Sequence, residues 1–216
     1  AGLDLKAGDE VLTTNQEHGS GISCWRLREA RSGIVVRQVD LPVSPKEPGE
    51  LLDRLVSAIG PRTRVLSFSG ITSPTGLVMP AREICLAARE RGVTTVLDGA
   101  HMDGQVPVDL RDLGCDFFAA SPHKWLFAPA GCGLLFGRDK TLEGLWPTVV
   151  SGGWDNVSGL KAARFMMVGT NNRATIDGMI AGIRFLRSLG EEAVYQRQQT
   201  LARRLLSEAH RRSHLE

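Results

Sequence analysis

The feature that most limits what this chain can become is a regular alternation. Short apolar runs recur at Glu10–Thr14, Ile34–Leu41, Arg64–Phe68, Thr94–Leu97, Phe117–Ala120 and Gly133–Phe136. They are rich in β-branched or aromatic residues, and several lack any polar alternation, as strands covered on both faces require. Helical patterns lie between them. Ser20–Arg31 follows the first run. Gly49–Ile59 carries Leu51, Leu52, Leu55, Val56 and Ile59. Ala81–Arg91 carries Ile84, Leu86, Ala87 and Ala88, begins after Pro80 and stops at Gly92, the proline-in, glycine-out asymmetry of a helix. Val108–Gly114 reads as one short turn ending in glycine. This alternation predicts an α/β fold with a mainly parallel sheet.

The ends of the chain read differently. The opening residues resemble the end of a helix, followed by a turn at Ala7-Gly8-Asp9 and then a strand. Leu145–Leu160 reads as loop. Two long helical patterns follow, Thr175–Leu189 and Glu191–Arg212. Among the last twenty residues, arginines at helical spacing with Leu201, Leu205 and Leu206 read as the solvated face of an amphipathic helix.

Bulk properties exclude several classes. Of 216 residues, 42% are hydrophobic and 23% charged, which is globular and not disordered. A net charge of +2 gives no electrostatic pull toward nucleic acid or a membrane. No run approaches the roughly 20 apolar residues of a membrane span. Cys24, Cys85, Cys115 and Cys132 form no CxxC pair, so they read as thiols in a reducing, cytoplasmic compartment.

In open α/β sheets the chemistry lies just beyond the carboxyl ends of the strands. Four such junctions carry functional groups. The first run ends in Asn15-Gln16-Glu17-His18-Gly19-Ser20. The third ends in Ser69-Gly70-Ile71-Thr72-Ser73-Pro74-Thr75-Gly76. The fourth ends in Asp98-Gly99-Ala100-His101, and the fifth in Ser121-Pro122-His123-Lys124. Singly, an Asp here is a turn or cap residue, a His a satisfied polar group and a Lys a solvated cation. Jointly they bring acid, imidazole, hydroxyl and amine to one sheet edge. Trp125, Leu126 and Phe127 would set an apolar wall beside Lys124, and desolvation makes an amine a nucleophile toward carbonyls.

The stretch VLDGAHMDGQVPVDLRDLGCDFFAASPHKWLFAPAGCGLLFGR resembles the core of the class V aminotransferases, fold-type I pyridoxal-phosphate (PLP) enzymes that include the cysteine desulfurases. ITSPTGLVMP and the DGAH turn followed by GQVPVDL are more similar to the isopenicillin N epimerase-like branch. The Ser-x-His-Lys turn lies 26 residues after Asp98, and Glu17-His18 and Val168-Gly169-Thr170-Asn171 extend the resemblance.

This resemblance implies a three-layer αβα large domain with a mainly parallel, mixed sheet. It implies PLP held as a Schiff base on Lys124, whose freed amine then moves the substrate α-proton. Asp98 would pair with the pyridine nitrogen and His18 would stack on the ring. His101 would lie near the 3-oxygen, Ser121 and His123 would bind the phosphate, and Thr72 and Ser73 would line the pocket. Thr170 would reach the phosphate of a neighbouring subunit, which implies a homodimer. Arg164 and Arg173 are candidates to approach a substrate carboxylate. The substrate is an amino acid, and no metal is implied.

The family's N-terminal phosphate loop and its C-terminal small domain, with the carboxylate-binding arginine, have no counterpart in these residues. The expectation is a PLP-binding large domain over 1–190, incomplete at its N-terminal side, with 191–216 starting a long helix toward the small domain. No cysteine sits where the desulfurase nucleophile would.

Rival readings are weaker. Asp98, His101, Asp103 and His123 offer metal-ligand types, but this leaves Lys124 without a task. The Gly131-Cys132-Gly133 run precedes a strand where a dinucleotide fingerprint would follow one. No G-x-S-x-G elbow is present. Two alternatives stay open: a cysteine desulfurase-like lyase, and a truncated PLP fold serving as a non-catalytic binding module.

Overall fold

The computed structural model describes residues 2–212. The residues beyond Arg212 in the expected second segment lie outside them. Six strands form one sheet: β1 (Glu10–Thr14), β2 (Val35–Val39), β3 (Thr63–Ser69), β4 (Thr94–Asp98), β5 (Phe117–Ala120) and β6 (Leu134–Gly137). Their order is β2-β1-β3-β4-β5-β6. The first five pair in parallel, and β6 returns antiparallel to β5. All six apolar runs therefore become strands, and the mixed, mainly parallel sheet is as the alternation requires.

Helices α1 (Gly19–Ser32), α2 (Pro48–Ala58), α3 (Ala81–Glu90) and α4 (Leu110–Leu113) supply the crossovers. Neighbouring strand residues feed opposite faces. Val11 and Val65 join Trp25 of α1 and Ile34 in one core. Leu12 and Leu66 join Leu51 and Leu55 of α2 and Ile84 and Ala88 of α3 in the other. The result is three layers, with the central strands β1, β3 and β4 shielded from water and the edge strands β2 and β6 partly exposed. Each fully buried Leu or Val contributes about 1.5–3 kcal/mol of burial free energy, which is why the central positions of these strands are apolar.

Several local expectations give way to the structure. Residues 2–9 form no helix; Leu3 and Leu5 pack as extended chain against the Trp25 core. Short helices appear at α5 (Asp139–Glu143) and α6 (Val157–Leu160), and a 3₁₀ turn spans Lys161–Phe165. None is long enough to show a helical period. The two long helices, α7 (Arg173–Leu189) and α8 (Glu191–His210), lie where the periodicity puts them. No helix among the described residues is long and apolar enough to cross a membrane.

Candidate active site

The order of the sheet defines where a site forms. β2 lies on one side of β1 and β3 on the other, so the loops leaving β1 and β3 diverge and open a crevice at their carboxyl ends. Register does the rest: Ser69 aligns with Asp98, and Asp98 with Ala119. A cavity of about 820 Å³ opens over this edge, lined among others by His18, Ser73, Asp98, His101, His123 and Lys124. Ser69 and Ser121 also line it.

From β1, the chain turns into α1 through His18, whose Nδ1 accepts the Ser20 N–H at 3.2 Å and caps the helix. Glu17 lies beneath. Thr14 Oγ1 donates to its Oε1 at 2.5 Å and Ser69 Oγ to its Oε2 at 2.6 Å. Burial raises the Glu17 carboxyl above its usual range against these two bonds. The acid ties the β1 and β3 exits together. Reading the sequence had assigned Glu17 no role beyond its place in a motif.

From β4, Asp98 accepts the Ala100 N–H on Oδ1 at 2.9 Å. Its Oδ2 faces α1, since a Cβ built on Gly21 would stand 3.8 Å from it. Gly99 follows because a side chain there would overlap the Phe118 ring, so the turn can hug the sheet and carry His101 back over the cavity.

From β5, the Lys124 N–H bonds the Ser121 carbonyl at 2.9 Å, closing the turn that projects both side chains. Lys124 Nζ lies 3.0 Å from His101 Nε2. Trp125 Nε1 donates to His101 Nδ1 at 3.2 Å. Burial holds the His101 imidazole below its usual pKa. The expected apolar wall is absent: Trp125 and Phe127 are both exposed, and Lys124 is partnered by imidazole instead.

The remaining candidates fall in different places. Ser73 is exposed at the cavity rim, and His123 is exposed within the lining. Thr72 is buried, and its hydroxyl ties the loop through Thr75 Oγ1 at 2.7 Å and the Leu77 N–H at 3.0 Å. It does not line the cavity. Thr170 is exposed and also outside the lining, although Val168 two residues earlier belongs to it. Arg173 is exposed at the start of α7. Arg164 cannot serve a substrate carboxylate, because it is buried and donates to the carbonyls of Leu142 at 2.6 Å and Leu145 at 2.7 Å. Asp103 does not join His101 in a metal-type cluster. It is buried, faces a separate cavity of about 170 Å³, and neither carboxylate oxygen has a hydrogen-bond partner among the described residues. Its pKa is pushed up to about 7 by burial.

The donor set fits a phosphorylated pyridine aldehyde. An amine stands at the cavity wall, a carboxylate stands at a strand end, and hydroxyl and imidazole groups also line the cavity. A three-layer α/β domain with a mainly parallel sheet and this polar edge has the architecture of a fold-type I large domain. The whole chain, residues 1–216, matches the aminotransferase class-V family model, and the protein belongs to that family. It is 44% identical over 164 residues to isopenicillin N epimerase of Streptomyces clavuligerus, covering 75% of this chain and 41% of that one. It is 31% identical over 212 residues to a probable cysteine desulfurase of Xylella fastidiosa, covering 94% of this chain and 50% of that one. Among solved structures, a C-DES variant with glycine covalently linked to its PLP cofactor superposes with a TM-score of 0.81. That match has 28% identity and covers 90% of this chain and 54% of the other. The chain thus spans about half the length, or less, of these relatives.

Proposed function

We propose that the protein carrying this chain is a PLP-dependent enzyme acting at the α-carbon of an amino acid, with Lys124 as the point of covalent cofactor attachment. The observation that supports it most is the convergence of Lys124, His101 and Asp98 from two adjacent strand ends on one 820 Å³ cavity. Bound PLP supplies an electron sink for negative charge developing at the substrate α-carbon.

The chain's own residues would do the following. The Lys124 amine would hold the cofactor and would serve as the group that takes or returns the substrate α-proton. Asp98, oriented by the Ala100 N–H, offers its second oxygen as a negative partner for the ring nitrogen. His18 is fixed by its own capping bond and presents an imidazole over the cavity from α1. His101 would lie near the cofactor's ring oxygen. Ser121 and His123 offer hydroxyl and imidazole donors to its phosphate. Thr72 would shape the pocket through the loop it ties, leaving Ser73 at the rim.

Epimerase-like or aminotransferase chemistry is favoured over desulfuration. Identity to the epimerase exceeds that to the desulfurase. We further propose a homodimer in which Thr170 reaches the neighbour's phosphate, and a reducing cytoplasmic setting for the four free thiols. Residues 1–190 would then be part of the large domain, and α8 the start of a connection to a small one.

The test is hydrogen–deuterium exchange at the α-carbon of a panel of L- and D-amino acids, using the full-length protein with PLP. Exchange with at least one of them, abolished by Lys124→Ala and cut strongly by Asp98→Asn, is the expected result. Exchange that survives Lys124→Ala would overturn the assignment.

A further inference from the structure

We propose that Trp125 is a positioning residue: its indole N–H fixes the tautomer of His101, and His101 thereby holds Lys124 as a neutral amine. The argument is a count of protons on three bonded atoms. An indole N–H can only donate, so His101 Nδ1, 3.2 Å from Trp125 Nε1, must accept and carries no proton. The neutral ring then bears its proton on Nε2. That atom lies 3.0 Å from Lys124 Nζ. An ammonium group has three donors and no acceptor, so Nε2–H facing it would set donor against donor. The contact is a hydrogen bond only when Nζ is an amine with a free lone pair. A doubly protonated ring fails for the same reason at the Trp125 end, and burial disfavours that ring already.

The lone pair that accepts from His101 is the one a carbonyl carbon needs. Trp125 therefore prepares the nucleophile from the residue next to it, without touching the cofactor. Its backbone is held for the task. Gly104, at φ +80°, lies so close that a Cβ there would overlap the Trp125 carbonyl and the Leu126 nitrogen. The His101 and Trp125 rings sit 6.3 Å apart at 59°, so the indole approaches edge-on through its N–H. The other charged groups acting on this cluster are Asp98 at the end of β4, His18 at the cap of α1 and Asp103 in the turn beyond His101. Asp98 favours a charged ring, and His18 opposes it.

The inference deepens the reading of Lys124 as the attachment point, but its first test needs no cofactor. Long-range proton–nitrogen NMR of ¹⁵N-histidine-labelled full chain, with His101 assigned by its loss in His101→Gln, should show the Nε2–H tautomer. Trp125→Phe should convert it to a mixture or to Nδ1–H. The second readout is the pH profile of Lys124 reductive methylation by formaldehyde and cyanoborohydride, followed by peptide mass. Near neutral pH the rate at Lys124 should fall about tenfold in Trp125→Phe, the worth of one well-placed hydrogen bond. Gly104→Ala, which displaces the Trp125 peptide, should fall in the same direction. An Nδ1–H tautomer in the unsubstituted protein, or a Trp125→Phe protein with unchanged tautomer and unchanged Lys124 profile, overturns the inference. The correct tautomer and profile in a protein that exchanges no amino acid α-proton would leave the inference standing and remove the proposed function.

Discussion

Residues 10–137 and residues 145–212 both carry many apolar side chains, yet a fully buried core forms mainly in the first region. In the sheet region Leu12, Leu55, Leu66, Phe68, Ile84 and Leu97 are fully shielded from water. In the second region Trp146, Val149, Val150, Met166 and Phe185 stand exposed, and Leu205 and Leu206 of α8 do too. No side chain among the described positions of α8 is buried. Hydrophobic periodicity thus decides which residues share a face, while burial depends on whether something is there to cover it. The candidate cavity lies where the two regions meet: most of its polar residues come from the first, and Trp146, Pro147, Val149, Phe165 and Val168 from the second.

The comparison can be broken by substitution. Phe68→Ala removes the largest fully buried side chain from the sheet core and should cost about 3–5 kcal/mol in chemical unfolding. A loss under about 1 kcal/mol would mean that the first region is not a packed core.

A subtler effect comes from Asp103, which is buried in the first region without a hydrogen-bond partner among the described residues. Its pKa rises from 3.8 to about 7 on folding. Between those values the native chain binds more protons than the unfolded one, so stability falls as pH rises from about 4 to 7 and levels off above. Asp103→Asn should remove that slope and raise stability at pH 8 by about 1–3 kcal/mol, as read from urea unfolding at pH 5 and pH 8. An unchanged slope would show that another group carries it.

The smallest effect belongs to the second region. Leu205→Ala, on an open helix face, should shift stability by no more than about 0.5 kcal/mol. A core-sized loss in the same unfolding experiment would show that α8 is covered after all.

These contrasts also explain how much was legible in the sequence. Strands β1 to β6 were readable because a two-face-buried strand leaves a short, uninterrupted apolar run, and the strand ends then pointed to His18, Asp98, His101 and Lys124. Helices α5 and α6 were not, since four or five residues cannot display a period. Their region is instead tied by Arg164 to the carbonyls of Leu142 and Leu145, a long-range role that made Arg164 look like a free cation in the sequence. The partner of Lys124 was misjudged for the same reason. The adjacent apolar residues suggested desolvation, but the structure brings in His101 from 23 residues away. Glu17 and Asp103 show the general limit: local sequence gives residue type and face, whereas a buried acid is recognised only from what surrounds it.

The most direct test of the account is to locate the cofactor covalently. The protein would be equilibrated with PLP, reduced with borohydride, digested and mapped by mass spectrometry, alongside Lys124→Ala. The account predicts one dominant phosphopyridoxyl adduct on the peptide containing Lys124, absent from the variant and accompanied by loss of visible absorbance. An adduct spread over other lysines, or one that persists in Lys124→Ala, would contradict it.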